Sequence, residues 1–254
     1  MSGGTAIVTG ASRGIGLAVT AALAAEGYSV TAVSKGGSAE LKELAETGRV
    51  TSVLADLTDP QAPSAILSSL KEVDVLVNNV GAVRPRTGGF LSVTDEDWAA
   101  TLEVNLLTSV RMTRAVLPGM VERGSGSIVT VGSVNAVLPD PLVVDYSAAK
   151  AALASLCKSL SKEYGPKGIR VNTVSPGPVA TALWLGEGGV AESVAKATGA
   201  DPKAVAAGAA GDSVLGRFTR PEEVADLVVY LAGSRAANIT GSNFAIDGGL
   251  VSTL

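Results

Sequence analysis

The chain has 254 residues, 46% of them hydrophobic and 17% charged, enough to bury the core of one large α/β domain. A net charge of −4 with no block of Lys or Arg argues against a nucleic-acid surface, and the single cysteine, Cys157, excludes an intrachain disulfide. No apolar run reaches the ~18 residues of a membrane span, and the opening MSGGTAIVTG has no charged n-region or long apolar h-region, so no membrane partner and a cytoplasmic location are expected.

Along the chain, short β-branched runs alternate with Ala-rich stretches. The runs are apolar continuously instead of at every second residue, as in parallel strands covered on both faces. Strands are expected at 5–9, 29–33, 50–54, 73–77, 127–131, 170–175 and 243–246, with helices between them. This order predicts a single doubly wound Rossmann-type domain over 1–254 with a seven-stranded parallel sheet. Two helix starts are signalled: Thr94 with Asp97, and Thr219 with Glu222 and with Pro221 in the first turn. The interval Ala182–Asp212 holds Gly- and Ala-rich helical pieces and no strand, which predicts an excursion from the sheet able to act as a substrate lid.

The first βα turn, IVTGASRGIG, sets Gly10, Gly14 and Gly16 between the first strand and a helix starting near Ile15. Glycines there let the backbone approach a pyrophosphate held at a helix N-terminus. Alone, the turn is also consistent with a purely structural connection. At the end of the second strand, where an acid would hold the 2′-hydroxyl of NAD, the chain has Ser34 and Lys35. With Arg13, these offer two cations to a 2′-phosphate, so NADP(H) is expected over NAD(H); the plainer alternative is that Lys35 is a solvated loop residue.

The chain has no histidine, so proton transfer near neutral pH must fall to other groups. In VVDYSAAKAAL, Tyr146 and Lys150 stand one helical turn apart. Bringing a phenol from about 10 to near 7 takes roughly 4 kcal/mol. A cation at ~4 Å supplies that only at an effective dielectric of about 20, so the pair needs a partly desolvated cleft. Ser133 ends the fifth strand, NNVG at Asn78–Gly81 ends the fourth, and Asn105 lies in the long helix that follows it. By itself each has a bland use: Ser133 in a strand-end turn, Asn105 bonding helix backbone, Asn78 and Asn79 supporting a turn.

Together, and in this order and spacing, the motifs resemble the short-chain dehydrogenase/reductase family over essentially the whole chain. They are TGASRGIG at 9–16, Asp56-Leu57, NNVG, Asn105, Ser133, YSAAK at 146–150, SPGPVAT at 175–181 and IDGG at 246–249. The resemblance implies a catalytic tetrad of Asn105, Ser133, Tyr146 and Lys150. Tyr146 would protonate a carbonyl oxygen, Ser133 would bond the same oxygen, Lys150 would serve the phenol and the cofactor ribose, and Asn105 would hold a water relaying protons to Lys150. It further implies a cofactor site of Gly10, Ser12, Arg13, Gly14, Ile15, Gly16, Ser34 and Lys35, with Asp56 and Leu57 beside the adenine and Asn79 and Gly81 after the fourth strand. Pro176, Gly177, Val179 and Thr181 would complete it beside Tyr146 and Lys150, with Thr181 on the nicotinamide amide. A homotetramer is implied as well. Val80, where the family usually has Ala, and Val134-Asn135 after the serine depart from the pattern without touching the tetrad.

The expected substrate is a lipophilic or small neutral ketone and its secondary alcohol, lined by Asn135, Val137, Leu138, Pro139, Leu142, Val143 and Leu183–Leu185. Within the family the alternative is a 3-oxoacyl-[acyl-carrier-protein] reductase, for whose acidic partner Arg123 and Lys167 are partial matches. Outside enzymes it is a cofactor-binding regulator, against which the retention of all the tetrad residues argues. Arg84 and Arg86 are expected to face solvent, and no metal site is expected.

Overall fold

A computed structural model describes residues 3–253. Its parallel strands are β1 (Thr5–Thr9), β2 (Ser29–Ser34), β3 (Val50–Leu54), β4 (Val75–Asn78), β5 (Gly126–Val131), β6 (Ile169–Pro176) and β7 (Asn243–Ile246). They form one sheet in the order β3-β2-β1-β4-β5-β6-β7. Strand order reverses between β1 and β4, which opens a crevice at the carboxyl ends there. Helices α1 (Gly14–Ala25) and α10 (Pro221–Ala232) pack on one face of the sheet, α5 (Thr108–Arg123) and α6 (Val144–Tyr164) on the other. The middle of β1 shows why its run is continuously apolar: Ala6 and Val8 join the α1/α10 core, while Ile7 between them joins the α5/α6 core.

Every expected strand is present; β1, β3 and β7 keep the expected ends, and β2, β4, β5 and β6 shift by one or two residues. β4 begins at Val75 because Asp74 is occupied with β1: its N–H donates to the Thr5 carbonyl at 2.8 Å and its carboxylate accepts the Thr5 N–H at 2.7 Å. Thr94 and Asp97 do start a helix, α4 (Asp95–Leu102), through a reciprocal capping box. The second expected start is displaced by one residue. Pro221 takes the first helical position, so Arg220 is the cap, and its N–H donates to Glu223, not Glu222, at 2.8 Å. Thr219 instead donates its hydroxyl to the Ile246 carbonyl at 3.3 Å. The helix expected to carry Asn105 is interrupted: between α4 and α5 lies a π-helical turn, Glu103–Leu107.

The segment 182–212 contains α7 (Ala182–Leu185), α8 (Val190–Thr198) and α9 (Pro202–Gly211) and no strand. It leaves and rejoins the body at one place, where Val179 and Thr219 form a parallel bridge. The Ala180 N–H donates to the Thr219 carbonyl at 2.9 Å and the Thr219 N–H to the Pro178 carbonyl at 3.0 Å. Among the described residues, no helix is long and apolar enough to cross a membrane, and no cluster of His, Cys, Asp or Glu could hold a metal.

Candidate active site

Two cavities adjoin at the carboxyl ends of the strands, one of about 930 Å3 over β1–β3 and one of about 440 Å3 over β5 and β6. Ile15, Asn79, Gly81, Thr181 and Leu183 line both. Of the tetrad and cofactor-site residues expected from the sequence, only Gly16 and Asn105 line neither; each stands just behind a wall.

The larger cavity begins at the glycine turn. Gly10 and Gly14 hold φ of 68° and 55°, conformations that favour glycine. A Cβ on Gly16 would come within 2.1 Å of the Gly10 carbonyl oxygen, so the helix can start this close to β1 only with glycine there. The first turn of α1 has no side-chain cap and no acid, which leaves its N–H groups open to an anion. Asn79 fixes the turn from below, its amide donating to the carbonyls of Thr9 at 2.9 Å and Gly10 at 3.2 Å.

At the end of β2, the Ser34 hydroxyl is buried without a hydrogen-bond partner and lines this cavity. An orphaned hydroxyl there fits a ribose or a phosphate oxygen as its missing partner. Lys35 is exposed, and its ammonium bonds the Asp56 carboxylate at 2.7 Å. That contact, with bonds from the Thr58 hydroxyl and N–H, holds Asp56 down to about 2. The cation read from the sequence is therefore present but shared with Asp56 on the same cavity wall. Leu57 is buried on the same wall.

Ser133, Tyr146 and Lys150 line the smaller cavity. Lys150 is buried, its ammonium donates to the Val131 carbonyl at 3.0 Å, and it lies 5.6 Å from the centre of the Tyr146 ring. A Cβ on Gly81 would sit 3.3 Å from that ammonium, so the residue shared by both cavities roofs it. Burial lowers Lys150 to about 8. Burial also pushes the Tyr146 phenol up, opposed only by its hydrogen bond with Ser133. The sequence argued for a phenol brought down by Lys150. Desolvation is the larger effect on the phenol, because the cleft that would strengthen the pair penalises each charge first.

Ser133 accepts the Asn135 N–H at 3.1 Å and donates to the Asn135 side-chain oxygen at 3.0 Å, so its proton is parked on a neighbour. The side chain of Asn105 is committed too. Its amide nitrogen donates to the carbonyls of Ala82 at 2.9 Å and Thr101 at 3.0 Å, and its oxygen accepts the Ala82 N–H at 3.1 Å. Both amide donors of Asn105 are thus used, which leaves a relay water the second lone pair of its side-chain oxygen or its main chain, where the π-turn disrupts the regular helical bonding.

Among the expected substrate contacts, Asn135, Leu138, Pro139, Leu142, Val143, Leu183 and Trp184 line the smaller cavity, whereas Val137 and Leu185 point away and are exposed. Trp184 meets Phe218 edge-on with ring centres 5.6 Å apart. The charged residues on this wall besides Lys150 are Asp140 and Asp212. Arg86, expected in solvent, is largely enclosed, its side chain 9% exposed: it pairs with Asp145 and with Asp97, the latter at 2.8 Å, while Arg84 stays exposed. Asp145 is the residue sequence reasoning missed, although its place just before Tyr146 in an uncapped first turn could have drawn notice.

A family model described as enoyl-(acyl carrier protein) reductase matches residues 10–251. Oxidoreductase UcpA of Escherichia coli O157:H7 is 36% identical over 260 residues, which cover 98% of this chain and 95% of the relative. The 3-oxoacyl-[acyl-carrier-protein] reductase FabG of Vibrio harveyi is 35% identical over 257 residues, 98% of each chain. The solved structure of L-sorbose reductase from Gluconobacter frateurii, complexed with NADPH and L-sorbose, superimposes with a TM-score of 0.90 at 34% identity, covering 100% of this chain and 98% of that one.

Proposed function

Because the chain belongs to the short-chain dehydrogenase/reductase family of NAD(P)-dependent oxidoreductases, we propose that it interconverts a ketone and a secondary alcohol with NADP(H). The observation that carries this is the meeting of the two cavities at Gly81, with Lys150 beneath it and Tyr146 and Ser133 on the substrate side.

The open N–H groups of α1, the orphaned Ser34 hydroxyl, and Arg13 and Lys35 on the cavity wall support a phosphorylated dinucleotide. No acid ends β2 to select an unphosphorylated ribose. The likeness to a reductase complexed with NADPH points the same way. When bound, the reduced nicotinamide supplies a hydride. The chain's own groups do the rest. Tyr146 gives its phenolic proton to the carbonyl oxygen, and in the alcohol direction takes it back. Ser133 turns from Asn135 to donate to that same oxygen. Lys150, near 8 and poised between charge states, refills or drains the phenol and holds the ribose. A positively charged oxidised nicotinamide would favour the phenolate, which the isolated chain disfavours.

A cavity of about 440 Å3 with apolar walls and only acids at its charged positions beyond Lys150 favours a neutral carbonyl compound over a carboxylate. A carrier-bound 3-oxoacyl group is the second reading, favoured by the likeness to 3-oxoacyl-[acyl-carrier-protein] reductases. Its weak point is the basic surface. Arg123 donates to the Val73 carbonyl at 2.6 Å and Lys167 stands 4.9 Å over the Tyr164 ring, both at the amino ends of the strands. They could meet an acidic carrier near a site only across a contact between copies, such as the proposed homotetramer would supply. NADPH oxidation against a panel of ketones, sugars, 2-oxo acids and 3-oxoacyl thioesters tests both readings. Turnover of neutral ketones or ketoses above the others is expected; turnover of thioesters alone would select the second.

A further inference from the structure

The geometry points to Arg86 as a positioning residue that acts through Asp145 on the helical turn carrying Tyr146. The inference rests on Tyr146 being the proton donor, as proposed above. Tyr146 occupies the third position of α6, whose cap residue, Val143, offers no side-chain bond. The first N–H groups of a helix have no partner within it, and an uncapped first turn frays. A catalytic hydroxyl placed there would wander.

Asp145 replaces the missing cap. One of its oxygens accepts the Tyr146 N–H at 3.0 Å. The other accepts the Arg86 guanidinium from Nε at 3.1 Å and from Nη2, and the Thr101 hydroxyl at 2.7 Å. The carboxylate is 1% exposed and fully employed. Arg86 also bonds the Leu142 carbonyl through its N–H at 2.6 Å, just ahead of α6, and reaches Asp97 on α4. Four residues before it, Ala82 is clamped in both directions by Asn105, whose amide also bonds the Thr101 carbonyl. The loop after β4, the π-turn and the first turn of α6 are thus tied by Arg86, Thr101 and Asn105, with Tyr146 at the end of the chain of bonds. The guanidinium touches neither cavity wall, so it acts through Asp145.

The test compares wild type with Arg86→Met, Arg86→Lys and Thr101→Val, with Tyr146→Phe alongside. Readouts are kcat and KM for a turned-over ketone, NADPH Kd from fluorescence titration, and amide exchange along α6. Arg86→Met should lower kcat about 10- to 100-fold, the loss that a misplacement of about 1 Å can cause. KM and NADPH Kd should stay within about twofold, well under 1 kcal/mol. Exchange should rise at Tyr146 and Ser147 but not beyond Lys150. Lysine reaches one carboxylate but lacks the fork that holds two, so Arg86→Lys should fall between. If Arg86→Met does not fold, Thr101→Val, which removes one donor to Asp145, is judged on the same readouts. The inference is overturned by unchanged kcat, by unchanged exchange at Tyr146, or by a loss of NADPH affinity that matches the loss of kcat. An active Tyr146→Phe would sink the functional reading instead, and exchange at Tyr146 would still decide whether Arg86 holds the turn.

Discussion

Replacing Lys150 by Met should make the protein more stable at neutral pH while removing its activity. The ammonium is buried, its hydrogen bond is to the Val131 carbonyl, and among the described residues no carboxylate pairs with it. Its fall from 10.5 to about 8 corresponds to about 3 kcal/mol, at about 1.4 kcal/mol per pH unit. Below pH 8 the native protein carries that cost in full. Between about 8 and 10.5 the unfolded chain binds more protons than the native one, so stability rises with pH as the cost is relieved. Methionine fills similar space without charge but strands the Val131 carbonyl, which takes away about 1–2 kcal/mol. The net gain at pH 7 is then about 1–2 kcal/mol, or roughly 2–8 °C in Tm for a chain of this size. Thermal and urea unfolding of both proteins at pH 7 and at pH 10.5 measures it. The variant should lead at pH 7 and lose that lead at pH 10.5. A variant less stable at pH 7, or a difference that does not change with pH, would refute the placement of a strained ammonium at Lys150.

Tyr146→Phe keeps the packed ring and loses only the proton donor, so kcat should drop by about 10²–10⁴-fold with NADPH affinity intact; wild-type turnover in this variant would rule out the mechanism. Lys35→Asp should weaken NADPH more than NADH in fluorescence titration, and wild type binding NADH about tenfold more tightly, by ~1.4 kcal/mol, would reverse the cofactor assignment. Trp184→Ala should raise KM for bulky ketones with little effect on NADPH. If 182–212 closes over the site, its amides should gain protection on forming the ternary complex, and equal protection in the free protein would end the lid proposal.

The strands were legible because burial on two faces leaves an unambiguous mark: Ile7 and its neighbours Ala6 and Val8 must all be apolar to enter opposite cores. The site walls were legible because strand ends in this topology converge, so Gly10, Ser34, Gly81, Ser133 and Thr181 fall together once the order is known. What stayed hidden depends on partners distant in sequence or on burial itself. VRPRTGG reads as a polar loop, since nothing local records that Asp145 lies opposite Arg86. LEVNLL reads as ordinary helix, and its π-turn comes with bonds from the Asn105 side chain to Ala82 and Thr101. The rise of the Tyr146 phenol follows from packing density around the hydroxyl, which composition does not report.

The bridge between Val179 and Thr219 gives the excursion a single doorway. Because the two ends are already joined, lengthening or exchanging what lies between them changes the closure entropy only logarithmically, by about 0.6 kcal/mol per doubling, and asks nothing of the strand register on either side. Yet Leu183, Trp184, Val190, Ala209 and Asp212 from this interval wall the smaller cavity. On the proposed reading, part of the substrate wall is thereby housed in a replaceable cassette, while Ser133, Tyr146 and Lys150 sit outside it, after β5 and on α6. Grafting or randomising 182–212 is the route by which new selectivity could arise, in nature or in the laboratory, without re-solving the folding problem.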